Sequence, residues 1–285
     1  MKHGKENDIT SIITRHKKPL HLYSPFQLAK KYLKYYFIAS NGKGHGVHSP
    51  FVFDFIKFVL NDKTEYPCYR TIEKLRIILL ADNNSIEVED FGAGSAVIKT
   101  KQRIIKDIAA SSLKPKKYSQ LLFRIIQYYE KTNVLELGTS LGTTTAYLAS
   151  AANTVVTTME GSANIAAIAK KNFSLLALKN IDITMGDFEK TLPAFLSTKK
   201  EVDFVFLDGN HRKVPTLKYF EEILLHANEE TIFVFDDIHW SKEMEEAWEV
   251  VKKHDQVTLT IDLFFIGIAL LGKNFKEKQH FAIRF

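Results

Sequence analysis

A chain of 285 residues with 45% hydrophobic and 25% charged side chains can bury a sizeable core, which excludes a disordered or fibrous protein. The single cysteine, Cys68, cannot form an intrachain disulfide, and the most apolar stretch, Leu259–Leu271, is short and broken by Asp262 and Gly267; the expectation is a cytoplasmic protein with no signal peptide and no membrane span. The net charge of +6 is uneven: residues 1–131 carry 23 Lys+Arg against 12 Asp+Glu, and residues 132–285 carry 16 against 21, so the basic front half can face an acidic partner such as RNA or simply lie against the acidic half.

Residues 1–22 show no period and read as a tail or a strap over the surface. Pro25 to about Ser40 reads as a helix with Ser24 as its cap and proline at its first position. In it Lys30, Lys31 and Lys34 interleave with Tyr32, Tyr35, Tyr36 and Phe37, a mixture found in nucleic-acid binders and in amphipathic helices that turn their aromatics inward; packing is the preferred reading. The loop Asn41–Pro50 holds three glycines and two histidines, His45 and His48, candidates for substrate contact, with Ser49 able to cap a following helix, Phe51–Leu60. Another helix is expected over Tyr69–Ala81. Glu87–Ser95 resembles a strand running into a glycine turn, but two helices, about 101–111 and 116–131, follow with no returning strand, so Gly92–Ser95 reads as a turn or substrate-side loop. Residues 23–131 thus form a helical N-terminal region, a candidate lid on the acceptor side.

From Asn133 strand and helix alternate, the sign of a mostly parallel sheet covered on both faces. Expected strands are Val134–Gly138, Thr154–Glu160, Ile181–Asp187, Val202–Asp208 and Thr231–Asp237, with a helix from Lys242 to Lys253. Val257–Asp262 and Phe265–Leu271 are too close in sequence for a crossover helix and should form an antiparallel hairpin at the sheet edge. The fold class is α/β: a Rossmann-like doubly wound sheet over 132–285, mostly parallel with a terminal antiparallel hairpin, behind the helical region.

The strand ends are acidic: Glu136, Glu160, Asp187, Asp208, then Asp236 and Asp237. Ligands of open α/β sheets bind outside those ends, so the acids converge on one crevice. The turn Gly138-Thr139-Ser140-Leu141-Gly142-Thr143 lacks the second and third glycines of a dinucleotide fingerprint, which disfavours a pyrophosphate. A cofactor with an amino group, a ribose diol and a cationic centre suits carboxylates better, with Glu160 placed for the ribose hydroxyls and Asp187 for the adenine end; S-adenosylmethionine has these parts.

Glu136-Leu-Gly-Thr-Ser-Leu-Gly142, Glu160, Gly186-Asp187 and Phe206-Leu-Asp208 resemble the successive motifs of class I S-adenosylmethionine-dependent methyltransferases, closest to the catechol and caffeoyl-CoA O-methyltransferase-like branch, over about 132–271. The resemblance implies a cofactor site of Glu136, Gly138, Thr139, Ser140, Gly142, Thr143, Glu160, Gly186, Asp187 and Asp208. It also implies a divalent cation, Mg²⁺ or another, on Asp208, Asp236 and Asp237, and a base at His211 where the branch has a lysine. Asp237 stands where the branch has asparagine. Metal dependence and a metal-independent reaction, with His211 or His239 working alone, both stay open at this point. Trp240 is a candidate wall of the acceptor pocket, and Glu243, Glu245 and Glu246 are assigned no catalytic work because acids in a first helical turn oppose the dipole favourably. The expected reaction is methylation of a small hydroxylated acceptor in preference to RNA, with a second copy of the chain as a candidate partner and a non-catalytic cofactor-binding module as the remaining alternative.

Overall fold

Ser24 begins the first helix as expected: its hydroxyl accepts from the Gln27 N–H at 3.3 Å, and the Gln27 side chain accepts from the Ser24 N–H at 2.8 Å. This reciprocal cap, with proline in the first turn, satisfies donors that the helix would otherwise leave open. The computed structural model describes residues 22–44, 49–90, 99–198, 201–272 and 277–285. Residues 1–21, His45, His48 and the expected turn Gly92–Ser95 lie outside the described residues.

The front half contains α1 (Pro25–Ile38), α2 (Pro50–Asp54, continued by a π-helical segment Phe55–Leu60), α3 (Pro67–Ala81), β1 (Ser85–Asp90), β2 (Lys99–Ile104), α4 (Ile105–Ser112) and α5 (Lys116–Tyr128). The helix expected from about residue 101 begins instead at Ile105. Residues 99–104 pair antiparallel with β1, from Ser85 opposite Ile104 to Asp90 opposite Lys99, and the pairing overrides a local sequence that tolerates either state. The hairpin docks on the sheet domain: the Glu89 carboxylate accepts from the Ser162 hydroxyl at 2.7 Å and the Ala163 N–H at 2.9 Å.

After it come β3 (Asn133–Leu137), α6 (Thr143–Ala149), β4 (Val155–Glu160), α7 (Ala163–Leu175), β5 (Ile181–Met185), α8 (Phe188–Ser197), β6 (Val202–Leu207), α9 (Lys213–Leu224), β7 (Ala227–Asp236), α10 (Lys242–Lys253), β8 (Leu259–Asp262), β9 (Ile266–Leu270) and β10 (Gln279–Ala282). Eight of the strands form one sheet in the order β10-β8-β9-β7-β6-β3-β4-β5. Strand alternation divides the core: Phe204 and Phe206 join Ile125, Ile126 and Tyr147 on one face, while Val205 and Leu207 join Phe220 and Trp248 on the other. The β8–β9 hairpin is antiparallel as expected, but it is not the edge. β10 lies outside it, parallel to β8, with Gln279 opposite Leu259. Among the described residues no helix is long and apolar enough to cross a membrane.

The aromatics of α1 divide. Tyr32 meets Phe264 edge-on at 5.0 Å and Tyr35 lies 5.3 Å from it, whereas Phe26, Leu33, Phe37 and Ile38 are exposed, so inward packing holds for only one side of the helix. Beside this contact His239 is held at both nitrogens, Nδ1 3.1 Å from Glu245 Oε1 and Nε2 2.8 Å from Asp262 Oδ2, and Glu245 also receives Lys31 at 2.9 Å and the Tyr23 hydroxyl at 2.7 Å. Burial would lower the His239 pKa, but the two carboxylates outweigh it and raise it to about 9. A raised folded-state pKa stabilises fully below the unfolded value near 6.5 and loses that contribution as pH rises through about 9. His239→Asn is therefore expected to cost about 1–3 kcal/mol at about pH 6 and much less at about pH 10, measured by denaturant unfolding. An equal loss at both pH values would rule out a charged His239.

Candidate active site

The turn after β3 is shaped by two glycines. Gly138 has φ +110°, and a Cβ there would meet the Asp208 carbonyl oxygen at 2.4 Å, so the ends of β3 and β6 approach backbone to backbone. The Asp208 N–H donates to Leu137 O at 2.9 Å across the same junction. Gly142, with φ +80°, occupies the N-cap of α6, and no side-chain hydroxyl caps this helix. Thr139 instead meets the Thr158 hydroxyl at 2.6 Å, and Thr143 is buried.

Two carboxylates frame the turn. Glu160 Oε2 accepts from the Ser140 N–H at 2.8 Å and its Oε1 from the Ser162 N–H at 3.0 Å, while burial raises its pKa. Glu136 is fully buried beneath the turn. Its Oε2 accepts from the hydroxyls of Thr145 and Thr158, its Oε1 has no partner among the described residues, and burial pushes its pKa up to about 7. Next along the sheet, Gly186 has φ +130° and Asp187 caps α8 by accepting from the Glu189 N–H at 3.0 Å.

Asp208, His211 and Asp236 bring one ligand-type atom each to within 4.8 Å of one another, with His211 Nε2 3.6 Å from Asp208 Oδ1. Asp237 adjoins this group without belonging to it. Asn210, His211 and Asp237 all have positive φ, of 70°, 35° and 52°. Strain of this kind gathers where loops are held for function. The residue that sequence reasoning missed is Lys114, on the link between α4 and α5. Its Nζ is in direct ion-pair contact with Asp236 Oδ2 and lies 3.5 Å from Asp208 Oδ2, with the side chain only 8% exposed.

The charges follow from this placement. Burial opposes the Lys114 charge, but Asp208, Asp236 and Asp237 raise its pKa above the ordinary value, so the ammonium is permanent. Asp236 is held low by Lys114 against its own burial. Asp208 is raised well above the usual carboxylate range by burial and by Asp236, and Asp237 is raised to about 7 by the same two causes. Burial lowers the His211 pKa, leaving a neutral imidazole near pH 7. For a divalent cation this donor set does not fit as it stands, because the ammonium already holds the carboxylate oxygen that such an ion would bridge.

A cavity of about 460 Å³ opens on these groups, lined by Gly138, Ser140, Glu160, Asp208, His211 and Asp236 from the sheet domain and by Arg103, Ser112 and Lys114 from the front half. The Ser112 and Ser140 hydroxyls meet at 2.8 Å across it. His239 and Trp240 do not line this cavity. Both nitrogens of His239 are already engaged elsewhere, so the structure gives it no free atom for proton abstraction, and Trp240 is 38% exposed.

Residues 135–238 match the family model described as a methyltransferase domain. No curated protein sequence matches the chain. Among solved structures the chain is similar to an O-methyltransferase from Bacillus cereus in complex with S-adenosylhomocysteine, at 18% identity and a TM-score of 0.53 over 73% of this chain and 92% of that one. It is similar to a Staphylococcus aureus protein assigned as a caffeoyl-CoA O-methyltransferase, at 18% identity and 0.52 over 58% and 88%. A third likeness is to the S-adenosylhomocysteine-bound Podospora anserina methyltransferase PaMTH1, at 11% identity and 0.55 over 79% and 97%. Residues 135–238 thus match a methyltransferase domain, and the chain shares its fold with these O-methyltransferase and methyltransferase structures.

Proposed function

We propose that this chain transfers a methyl group from S-adenosylmethionine to an oxygen of a small hydroxylated acceptor. The observation that carries the reading is the pairing of two features in one cavity. Glu160 is fixed by two backbone N–H groups beside the Gly138 turn, and a neutral His211 stands on the next strand end but one. The cavity volume lies within the range of small-molecule sites. S-adenosylmethionine, when bound, supplies a methyl carbon on a sulfonium leaving group. The residues present fit it: Glu160, on the cavity wall, offers acceptors for a ribose diol beside the glycine turn, where a Cβ at Gly138 would meet backbone.

The chain's own residues then do three things. The turn Gly138–Thr143 and Glu160 bind and orient the donor. The front-half wall, with Arg103 and Ser112, confines the acceptor and excludes water. His211 accepts the proton of the acceptor hydroxyl as the new C–O bond forms and the C–S bond breaks, and the charged Asp236 stabilises the imidazolium.

Titration calorimetry with S-adenosylhomocysteine tests the donor half. Wild type is expected to bind, and Glu160→Ala to bind about 10–100-fold more weakly, the loss of charge-assisted hydrogen bonds. Undiminished affinity in a folded Glu160→Ala, or no binding by wild type, would remove the assignment.

A further inference from the structure

The family that this chain resembles places a divalent cation where Asp208, Asp236 and Asp237 stand, and in this chain a lysine from the front half is already there. We propose that Lys114 is the resident cation of this site, carried in the chain itself, and that the protein neither binds nor needs a divalent metal at these aspartates.

The geometry makes the ammonium a fixture. Lys114 precedes Pro115, which restricts it to an extended backbone, and the α4 and α5 ends on either side are anchored. The Ser112 hydroxyl of α4 meets Ser140, and α5 is buried over Tyr118, Ser119 and all of Leu121–Ile126. The side chain therefore enters the acidic crevice from a rigid link. Its Nζ contacts Asp236 Oδ2, stands 3.5 Å from Asp208 Oδ2, and lies 5.4 Å from the centre of the Phe206 ring, whose face also favours a cation. Lys116 and Lys117, two and three residues on, make no such contact with the aspartates.

A metal and this ammonium exclude each other. Asp208, Asp236 and His211 have the separation of a cation site, within 4.8 Å, but a divalent ion there would share Asp236 with the ammonium, cation against cation in a buried site. Removing Lys114 should leave two carboxylates and a histidine with no ammonium between them, a donor set that Mn²⁺ can take up. The chemical consequence rests on the methyl-transfer reading. A fixed single charge bearing N–H donors, instead of a Lewis acid, would stand beside the acceptor oxygen as it loses its proton to His211.

The test is an Mn²⁺ titration followed by electron paramagnetic resonance, on wild type and on Lys114→Ala, with S-adenosylhomocysteine binding measured on the same samples. Wild type is expected to take up no Mn²⁺, and its product formation to be unchanged by EDTA. Lys114→Ala is expected to gain one bound Mn²⁺ per chain under conditions where wild type takes up none. Stoichiometric Mn²⁺ on wild type, or a folded Lys114→Ala that takes up none, overturns the proposal. If Lys114→Ala does not fold, the wild-type titration decides alone: uptake overturns the proposal and its absence upholds it. Failure of wild type to bind S-adenosylhomocysteine would strike the donor assignment instead, so the two ideas fail separately.

Discussion

His211→Ala is expected to lower kcat by about 10²–10⁴-fold while leaving the affinity for S-adenosylhomocysteine within about twofold, as for loss of a general base that does not bind the donor. His211 is the one imidazole lining the cavity among the described residues, and burial keeps its pKa below the ordinary value of 6.5. The wild-type kcat/KM should therefore fall as pH drops below that value and be level near neutrality, since the base works only when unprotonated. In His211→Ala this limb should vanish with the rate. Stopped or continuous assays against a panel of phenolic and aliphatic alcohols would measure both. A variant that keeps the rate and the limb would pass the proton to another group, for which Asp237, with its pKa near 7, is the nearest candidate by chemistry.

Gly138→Ala should abolish donor binding without touching any charged group. Two penalties coincide there. A φ of +110° strains any residue with a Cβ, by about 1–3 kcal/mol, and the new carbon would sit 2.4 Å from the Asp208 carbonyl oxygen and 2.9 Å from its carbonyl carbon. Both obstacles are backbone atoms of the neighbouring strand end, so relief requires β3 and β6 to part at the point where Glu160, Asp208 and the turn are set against one another. Gly142→Ala makes the useful contrast. Its Cβ would meet Phe173 at 2.5 Å, a side chain that can give way, and the damage should be smaller. Thermal melting with calorimetry ranks the two, and equal effects would show that φ strain alone governs the turn.

The strand ends were legible because the signal is local: an apolar run, an acid, then a glycine or a cap. Glu136, Glu160, Asp187, Asp208 and Asp236 all fall at ends of consecutive parallel strands, and sequence order alone is enough to align them in the fold. Lys114 carries no such signal. In Leu113-Lys-Pro-Lys-Lys117 three lysines look alike, and only packing decides that the first is buried among acids more than ninety residues away while the others are not. His239 misled for the opposite reason. It follows two site aspartates in sequence, yet Asp237 at φ 52° turns the chain and the imidazole joins Glu245 and Asp262. β2 is a basic strand in a two-stranded hairpin apart from the main sheet, and β10 is only four residues, Gln279–Ala282, at the sheet edge, so neither shows the apolar alternation of a core strand.

The way α1 is held has a bearing on synthesis. The helix is tied to the far end of the sequence: Tyr35 donates to Ile283 O, Ser40 N–H to Ala282 O at 2.8 Å, and Arg284 Nε to Ala39 O at 3.0 Å. Those partners leave the ribosome nearly 250 residues after α1 does, which at about 5–20 residues per second is a delay on the order of ten seconds or more. Through that interval the nascent chain carries a helix with Phe26, Leu33 and Phe37 outward and its inner aromatics not yet covered. Nascent-chain protection by a holdase should therefore concentrate on residues 25–38, and should end only when the last strand has been added.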